Sequence, residues 1–311
     1  MTTDTREQGC VVVAVDGSEE GYASVAFATR EASRSGLALH VVHVMPAYLP
    51  VGPLVMMAAD ENLGAYASET LASAARMVAD IDENVPVTTE VLAGGRVSEI
   101  VRAAEKASFV VLGRRPASAL DRAWSGGTLD GVVSRAHCPV VVVPGTARAE
   151  AAVQRVVVGY KSSEHADELF DAGFRAAARL GARLEVVHAW KLAGGYDDII
   201  AGRVSEPGWN REQKDAIWAA VSPWQDAYPH VGVRVQVVHE HPVRALLDAS
   251  HGAARLILVK PLHGARLHHL GRTARGALRF AECPIEVVAA LRPQQLDVPP
   301  VEVERAGDLV R

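Results

Sequence analysis

One pattern recurs 145 positions apart in this 311-residue chain and limits it more than any single motif does. CVVVAV at 10–15 returns as RVVVGY at 155–160, GLALHVVHV at 36–44 as GARLEVVHA at 181–189, and CPVVVV at 138–143 as CPIEVV at 283–288. Solenoid repeats run to roughly 20–50 residues, so a period of this size signals two duplicated domains instead. The copies share an apolar framework and differ at polar positions in the turns. Function is therefore read by comparing two sites.

Length agrees with the division: at ~100–200 residues per domain the chain holds about two, each able to bury its own core. Hydrophobic residues make up 49% and the mean hydropathy is +0.08, as expected of a soluble globular protein. No apolar run approaches the ~20 residues of a membrane helix, and residues 1–6 lack the charged and apolar regions of a secretion signal, which predicts a cytoplasmic protein that does not engage a membrane. The net charge of −5 is unevenly spread, with 12 Lys/Arg against 17 Asp/Glu in 1–148 and 20 of each in 149–311. Such a balance argues against nucleic acid as the partner. The three cysteines form no CxxC pair; Cys138 and Cys283 each precede the Pro that opens a strand and read as small buried residues.

Periodicity assigns the elements. Residues 11–15 form a short β-branched run suited to a strand covered on both faces. A helix capped by Ser18 spans 18–35, Gly36 ends it, and 39–44 is the second strand. After a stretch containing Pro46, Pro50, Gly52 and Pro53 come a helix over 60–81, a strand at 87–92, a helix at 97–107, a strand at 109–112, a helix at 128–135 and a strand at 140–143. Repeat 2 places strands near Val156, Leu184, Val233, Leu256 and Ile285. Strands alternating with helices at this spacing give right-handed βαβ crossovers and one parallel sheet per repeat. The fold class is α/β, with Rossmann-like domains at 8–146 and 153–291, a Gly- and Ala-rich linker around 144–153 and a charged tail at 292–311.

In an open parallel sheet, ligands bind beyond the carboxyl ends of the strands, where strand order reverses. Asp16, Gly17 and Ser18 follow strand 1, a carboxylate at the mouth of a turn whose glycine lets backbone approach a ligand. Gly113 follows strand 4; 13 residues later Gly126, Gly127 and Thr128 open a helix whose outward N–H groups suit phosphate. These features resemble the universal stress protein family over nearly the whole of both repeats, including the loop spacing G-x2-G-x9-G-(S/T) and a Cys-Pro-Val strand start. The resemblance implies, in each domain, a five-stranded parallel sheet of the adenine nucleotide alpha hydrolase-like kind, ordered 3-2-1-4-5 and flanked by helices. It also implies pairing of the domains through strand 5, at Val140 and Ile285, as an internal pseudo-dimer. ATP is the implied ligand: Asp16 contacts the adenosine, backbone at Val44 holds adenine, and Gly113, Gly126, Gly127 and Thr128 wrap the phosphates, with Ala14 in the same cofactor-binding set. The chain departs from the motif at Pro116, which stands at the second glycine and lacks an N–H, and at Gly127, which stands at the Ser/Thr place.

Repeat 2 departs further. Lys161 replaces the aspartate, Lys260 reads as the replacement of the first glycine, the loop to Gly271 reads as two residues shorter, and Arg272 takes the Ser/Thr place. An ammonium cannot accept the hydrogen bonds a carboxylate accepts, so ATP is expected in repeat 1 alone. Between 249 and 281, Arg255, Lys260, Arg266, Arg272, Arg275 and Arg279 stand without an acid, offering either a loop for an anion or an acidic partner, or an ordinary solvated helix face. Nine of the twelve histidines lie in repeat 2, but His239 and His241 follow its strand 3 while His263, His268 and His269 follow its strand 4. The implied strand order puts two strands between them, so no metal is expected; His43 and His188 read as packed framework. Three functions remain: an ATP-responsive stress or signalling protein read by a protein partner, an interaction scaffold with two degenerate sites, and a slow ATPase. Hydrolysis needs a positioned base, and none stands near the loop beyond Asp16, so no catalytic residue is assigned. A homodimer of the whole chain is also open.

Overall fold

The computed structural model describes residues 9–45, 53–115, 126–145, 154–191, 206–260 and 270–290. Repeat 1 gives β1 (Cys10–Ala14), α1 (Glu19–Ser35), β2 (Ala38–Met45), α2 (Pro53–Ile81), β3 (Val87–Ala93), α3 (Arg96–Ala103), β4 (Ala107–Arg114), α4 (Gly126–Arg135) and β5 (Val140–Pro144). Repeat 2 gives β6 (Arg155–Gly159), α5 (Ala166–Leu180), β7 (Arg183–Trp190), α6 (Glu206–Ala227), β8 (Val233–His239), α7 (Pro242–Ser250), β9 (Arg255–Lys260), α8 (Arg272–Phe280) and β10 (Ile285–Ala289). These strands join in one sheet ordered β3-β2-β1-β4-β5-β10-β9-β6-β7-β8. Each half has the expected 3-2-1-4-5 order with parallel neighbours, and the halves meet where β5 and β10 pair antiparallel, Val141 opposite Glu286.

Local chemistry explains the elements. Val11, Val12 and Val13 are each 0% exposed, as a central strand covered on both faces requires. The Ser18 hydroxyl accepts from the Gly21 amide at 3.1 Å, Glu19 and Glu20 sit in the first turn of α1, and Gly36 closes it with a left-handed φ of 63°. Helix α2 starts at Pro53, seven residues before periodicity places it, because a proline at the first helical position gives up an N–H that has no partner there. Helix α3 stops at Ala103 rather than 107, since Ala107 already pairs with Cys10 on β1. Helix α4 begins at Gly126, two residues early, so both glycines lie in its first turn. Pro46, Pro50, Gly52, most of the linker and the tail at 292–311 lie outside the described residues.

The sheet's two faces are built differently at the seam. On one face a single apolar cluster runs across it, from Val132, Val140 and Val142 of repeat 1 to Leu256, Leu278 and Ile285 of repeat 2. On the other, each repeat has its own apolar cluster, one around Val13, Val25 and Val141, the other around Val158, Phe170 and Ile257. Charges bridge the gap between those two clusters: Arg255, 2% exposed, lies 2.7 Å from both Glu31 and Glu286, and Arg179 approaches Glu31 at 3.7 Å.

Candidate functional site

Ala14, Asp16, Val44 and Gly113 converge at the carboxyl ends of β2, β1 and β4, which are adjacent in the sheet. Ala14 pairs with Val42 on one side and Leu112 on the other, so the first strand's end is held by both neighbours. Gly126, Gly127 and Thr128 form the first turn of α4, reached from β4 through residues 116–125. Those residues, Pro116 among them, lie outside the described ones.

The Asp16 carboxylate is 58% exposed and is held by local bonds: its Oδ1 accepts from the Ser18 amide at 3.0 Å and from the Ser18 hydroxyl. Arg115 brings Nη2 to 3.6 Å of Asp16 Oδ2 and Nε to 3.9 Å of Glu20. Burial alone raises the acid's pKa, but the Ser18 bonds and then Arg115 outweigh it and hold the carboxyl below its ordinary value. Asp16 is thus a fixed anion with open solvent beside it.

Two glycines make this arrangement possible. Gly17 has φ of 80°, and a Cβ there would lie 2.1 Å from the Tyr66 hydroxyl, which donates to the Asp16 carbonyl at 2.9 Å. At Gly113 a Cβ would lie 2.4 Å from the Glu20 carbonyl oxygen, so the end of β4 abuts the first turn of α1. Tyr66 also meets the His43 ring edge-on at 5.9 Å, and His43 Nδ1 lies 2.9 Å from the Val15 carbonyl. Sequence reasoning misses Tyr66 and Arg115. A basic residue two places after Gly113 is visible in the sequence, whereas nothing in it links a tyrosine on α2 to a turn 50 residues earlier.

The corresponding corner of repeat 2 is differently made. Lys161 follows β6, and α5 starts after His165, a non-glycine residue at φ of 94° with no side-chain cap. His188 keeps its counterpart's bond, Nδ1 lying 3.1 Å from the Tyr160 carbonyl. Where register puts Met45 and Ala93 in repeat 1, repeat 2 has Trp190 stacked on His239, centroids 4.3 Å apart, with Trp209 at 5.9 Å.

Sheet register corrects one sequence assignment. Gly113 opposes Val143 and Arg114 opposes Pro144, while Val259 opposes Val288 and Lys260 opposes Ala289. Val259, not Lys260, therefore stands in the glycine's place, and the loop to Gly271 is one residue shorter than that of repeat 1 rather than two. Lys260 is the counterpart of Arg114.

The basic run is corrected too. Arg255 is buried in the ionic bridge, and Lys260 donates to three backbone carbonyls of repeat 1. Arg272, Arg275 and Arg279 are exposed on α8, and Arg266 lies outside the described residues with His263, His268 and His269. Among the described residues no three His, Cys, Asp or Glu gather as metal ligands, and no described helix is long and apolar enough to cross a membrane.

A family model described as "Universal stress protein family" matches residues 10–144 and again 152–289. A universal stress protein of Mycobacterium tuberculosis is 29% identical, aligned over 93% of this chain and 97% of its own. Another from the same organism is 28% identical over 91% and 97%. Among solved structures, a universal stress protein of Archaeoglobus fulgidus superposes with a TM-score of 0.68 at 20% identity, covering 93% of this chain and all of that one.

Proposed function

The chain belongs to the universal stress protein family, and on that premise we propose that it is a cytoplasmic, nucleotide-responsive stress or signalling protein that binds ATP in repeat 1 only. The observation that carries the reading is the Asp16 corner: an ionised, solvent-facing carboxylate set by Ser18 against a glycine-permitted contact between β4 and α1. A carboxylate so placed accepts hydrogen bonds from vicinal ribose hydroxyls, backbone at Ala14 and Val44 borders the base, and Gly113 with the Gly126, Gly127 and Thr128 amides takes the phosphates. In repeat 2, Lys161 cannot accept those bonds, and Trp190, one residue past the counterpart of Val44, is stacked on His239. ATP bound in repeat 1 would alter the surface around α4 for a protein partner. The reading assigns no catalytic residue.

Isothermal titration with ATP tests it. We expect one saturable site per chain, weakened at least about tenfold by Asp16→Ala, consistent with loss of hydrogen bonds to a charged group at ~1.5–3 kcal/mol, and unchanged by Lys161→Ala. No heat and no melting shift at millimolar ATP would sink the proposal. The second reading, an interaction scaffold without nucleotide, draws on Arg115, which already spans Asp16 and Glu20. It is favoured if the protein purifies without adenine absorbance and stays silent in that titration.

A further inference from the structure

Arg114 and Lys260 occupy equivalent places at the ends of β4 and β9, and each reaches across the seam into the other repeat. Lys260 Nζ donates to the carbonyl oxygens of Val133 at 2.9 Å, Ser134 at 3.1 Å and Ala136 at 3.0 Å. An ammonium has three protons, and here three acceptors meet it at the last turn of α4. In the opposite direction Arg114 donates through Nη1 to the Leu278 carbonyl at 2.6 Å and through Nη2 to that of Ala281, at the last turn of α8. Each half of the chain thus supplies the cation that closes the other half's last helix, where carbonyls lack intrahelical partners and the dipole is negative.

The two clamps differ in what lies at the far end of the helix. Helix α8 begins at Arg272. Helix α4 begins at the Gly126, Gly127 and Thr128 turn, and its ten residues make a rod about 15 Å long. Midway, Gly131 lets α4 lie against α3, a Cβ there falling 2.7 Å from Val97. The rod is therefore held close to α3 at its middle and by three bonds at one end, and losing those bonds is expected to shift the other end. We infer that Lys260, although it belongs to repeat 2, is a positioning residue for the phosphate-binding end of α4 in repeat 1. The role rests on the ATP reading above. It gives the second repeat a part in the first repeat's site without a nucleotide of its own.

The test uses the full chain, titrated with ATP and separately with adenosine, beside amide hydrogen exchange on the ligand-free protein. Lys260→Met is expected to weaken ATP about 2- to 30-fold while leaving adenosine affinity unchanged, and amides over 128–136 should exchange faster. Lys260→Arg, which keeps a charged donor, should restore part of the ATP affinity. Arg155→Met serves as the stability control, because Arg155 Nη2 donates to the Ala249 and His251 carbonyls at 2.8 and 3.0 Å and so closes α7, away from α4. It should lower stability without separating ATP from adenosine. Unchanged ATP affinity in Lys260→Met, or equal losses for ATP and adenosine, overturns the positioning role. A wild-type chain that does not bind ATP overturns the ATP reading and this role with it; the wild-type titration distinguishes the two failures.

Discussion

Gly113 and Gly127 are the same residue type under opposite constraints. A methyl group on Gly113 meets the Glu20 carbonyl oxygen at 2.4 Å and the Glu20 carbonyl carbon at 2.7 Å, both backbone, so relief requires the first turn of α1 to move. A methyl group on Gly127 meets nothing within 4 Å, and the residue sits in a helix. Gly113→Ala should therefore lose roughly 1–3 kcal/mol, whereas Gly127→Ala should gain ~0.5–1 kcal/mol by narrowing the unfolded ensemble and favouring the helix. Urea midpoints of the two variants check this, and a stable Gly113→Ala would mean the contact between β4 and α1 is not tight. Asp16 and Gly113 stand out in the sequence because each follows a strand end, where an open parallel sheet holds its ligands. Their supports do not: Tyr66, on α2, reaches the Asp16 turn only through the fold.

Strands were the easiest elements to read, because β-branched runs such as 11–15 and 140–143 leave little alternative, while helix ends depended on chemistry that composition blurs, as at Pro53. The equivalence of Lys260 with Arg114 is hidden in the sequence for the same reason. Motif spacing aligns residues to the nearest glycine, but sheet hydrogen bonds fix the true equivalence, and those bonds lie between segments distant in sequence. Likewise, Arg255 read as part of a basic run although it opens the apolar stretch 256–259, and its partner Glu31 is more than 200 residues away. The segments that open β5 and β10 behave as the sequence suggested: Cys138 and Cys283 are buried, and burial pushes both thiols up from 9.0 to about 11. A pKa raised on folding contributes stability that is complete below the unfolded value and is lost as pH rises through the folded one. The urea midpoint should therefore hold to about pH 9 and fall toward pH 11, and the Cys138→Ala, Cys283→Ala double variant should fall less steeply over that window. Equal slopes would remove the thiols from the account.

Across the whole molecule, the seam carries information about which half pairs with which. The β5–β10 register is symmetric about Val141 and Glu286, so two copies of repeat 2 joined the same way would set Glu286 against Glu286, and like charges directly opposite are destabilising. Two copies of repeat 1 would fare no better, because Phe109 pairs with Val11 as Arg255 pairs with Val156, leaving Glu31 to face a phenyl ring instead of a guanidinium. Only the unlike pairing joins Glu31, Arg255 and Glu286. Burial raises the Glu31 pKa, but Arg255, then Arg179 and Arg34, more than reverse it. A pKa so depressed gives stability present above the unfolded value near 4.5 and lost as pH falls below it. Arg255→Met removes the cation paired with the buried Glu286 carboxylate and leaves Glu31 only Arg34 at 3.1 Å and Arg179 at 3.7 Å, and should cost about 3–5 kcal/mol. Replacing the cluster with apolar residues, as Glu31→Leu, Arg255→Met and Glu286→Val together, should recover most of that loss and flatten the acid limb of the stability curve. It should also erase the pairing preference, so that light scattering finds more concentration-dependent dimer in the triple variant than in the wild type. Were the single variant as stable as the wild type, or the triple no better than the single, these charges would be incidental to the joining of the halves.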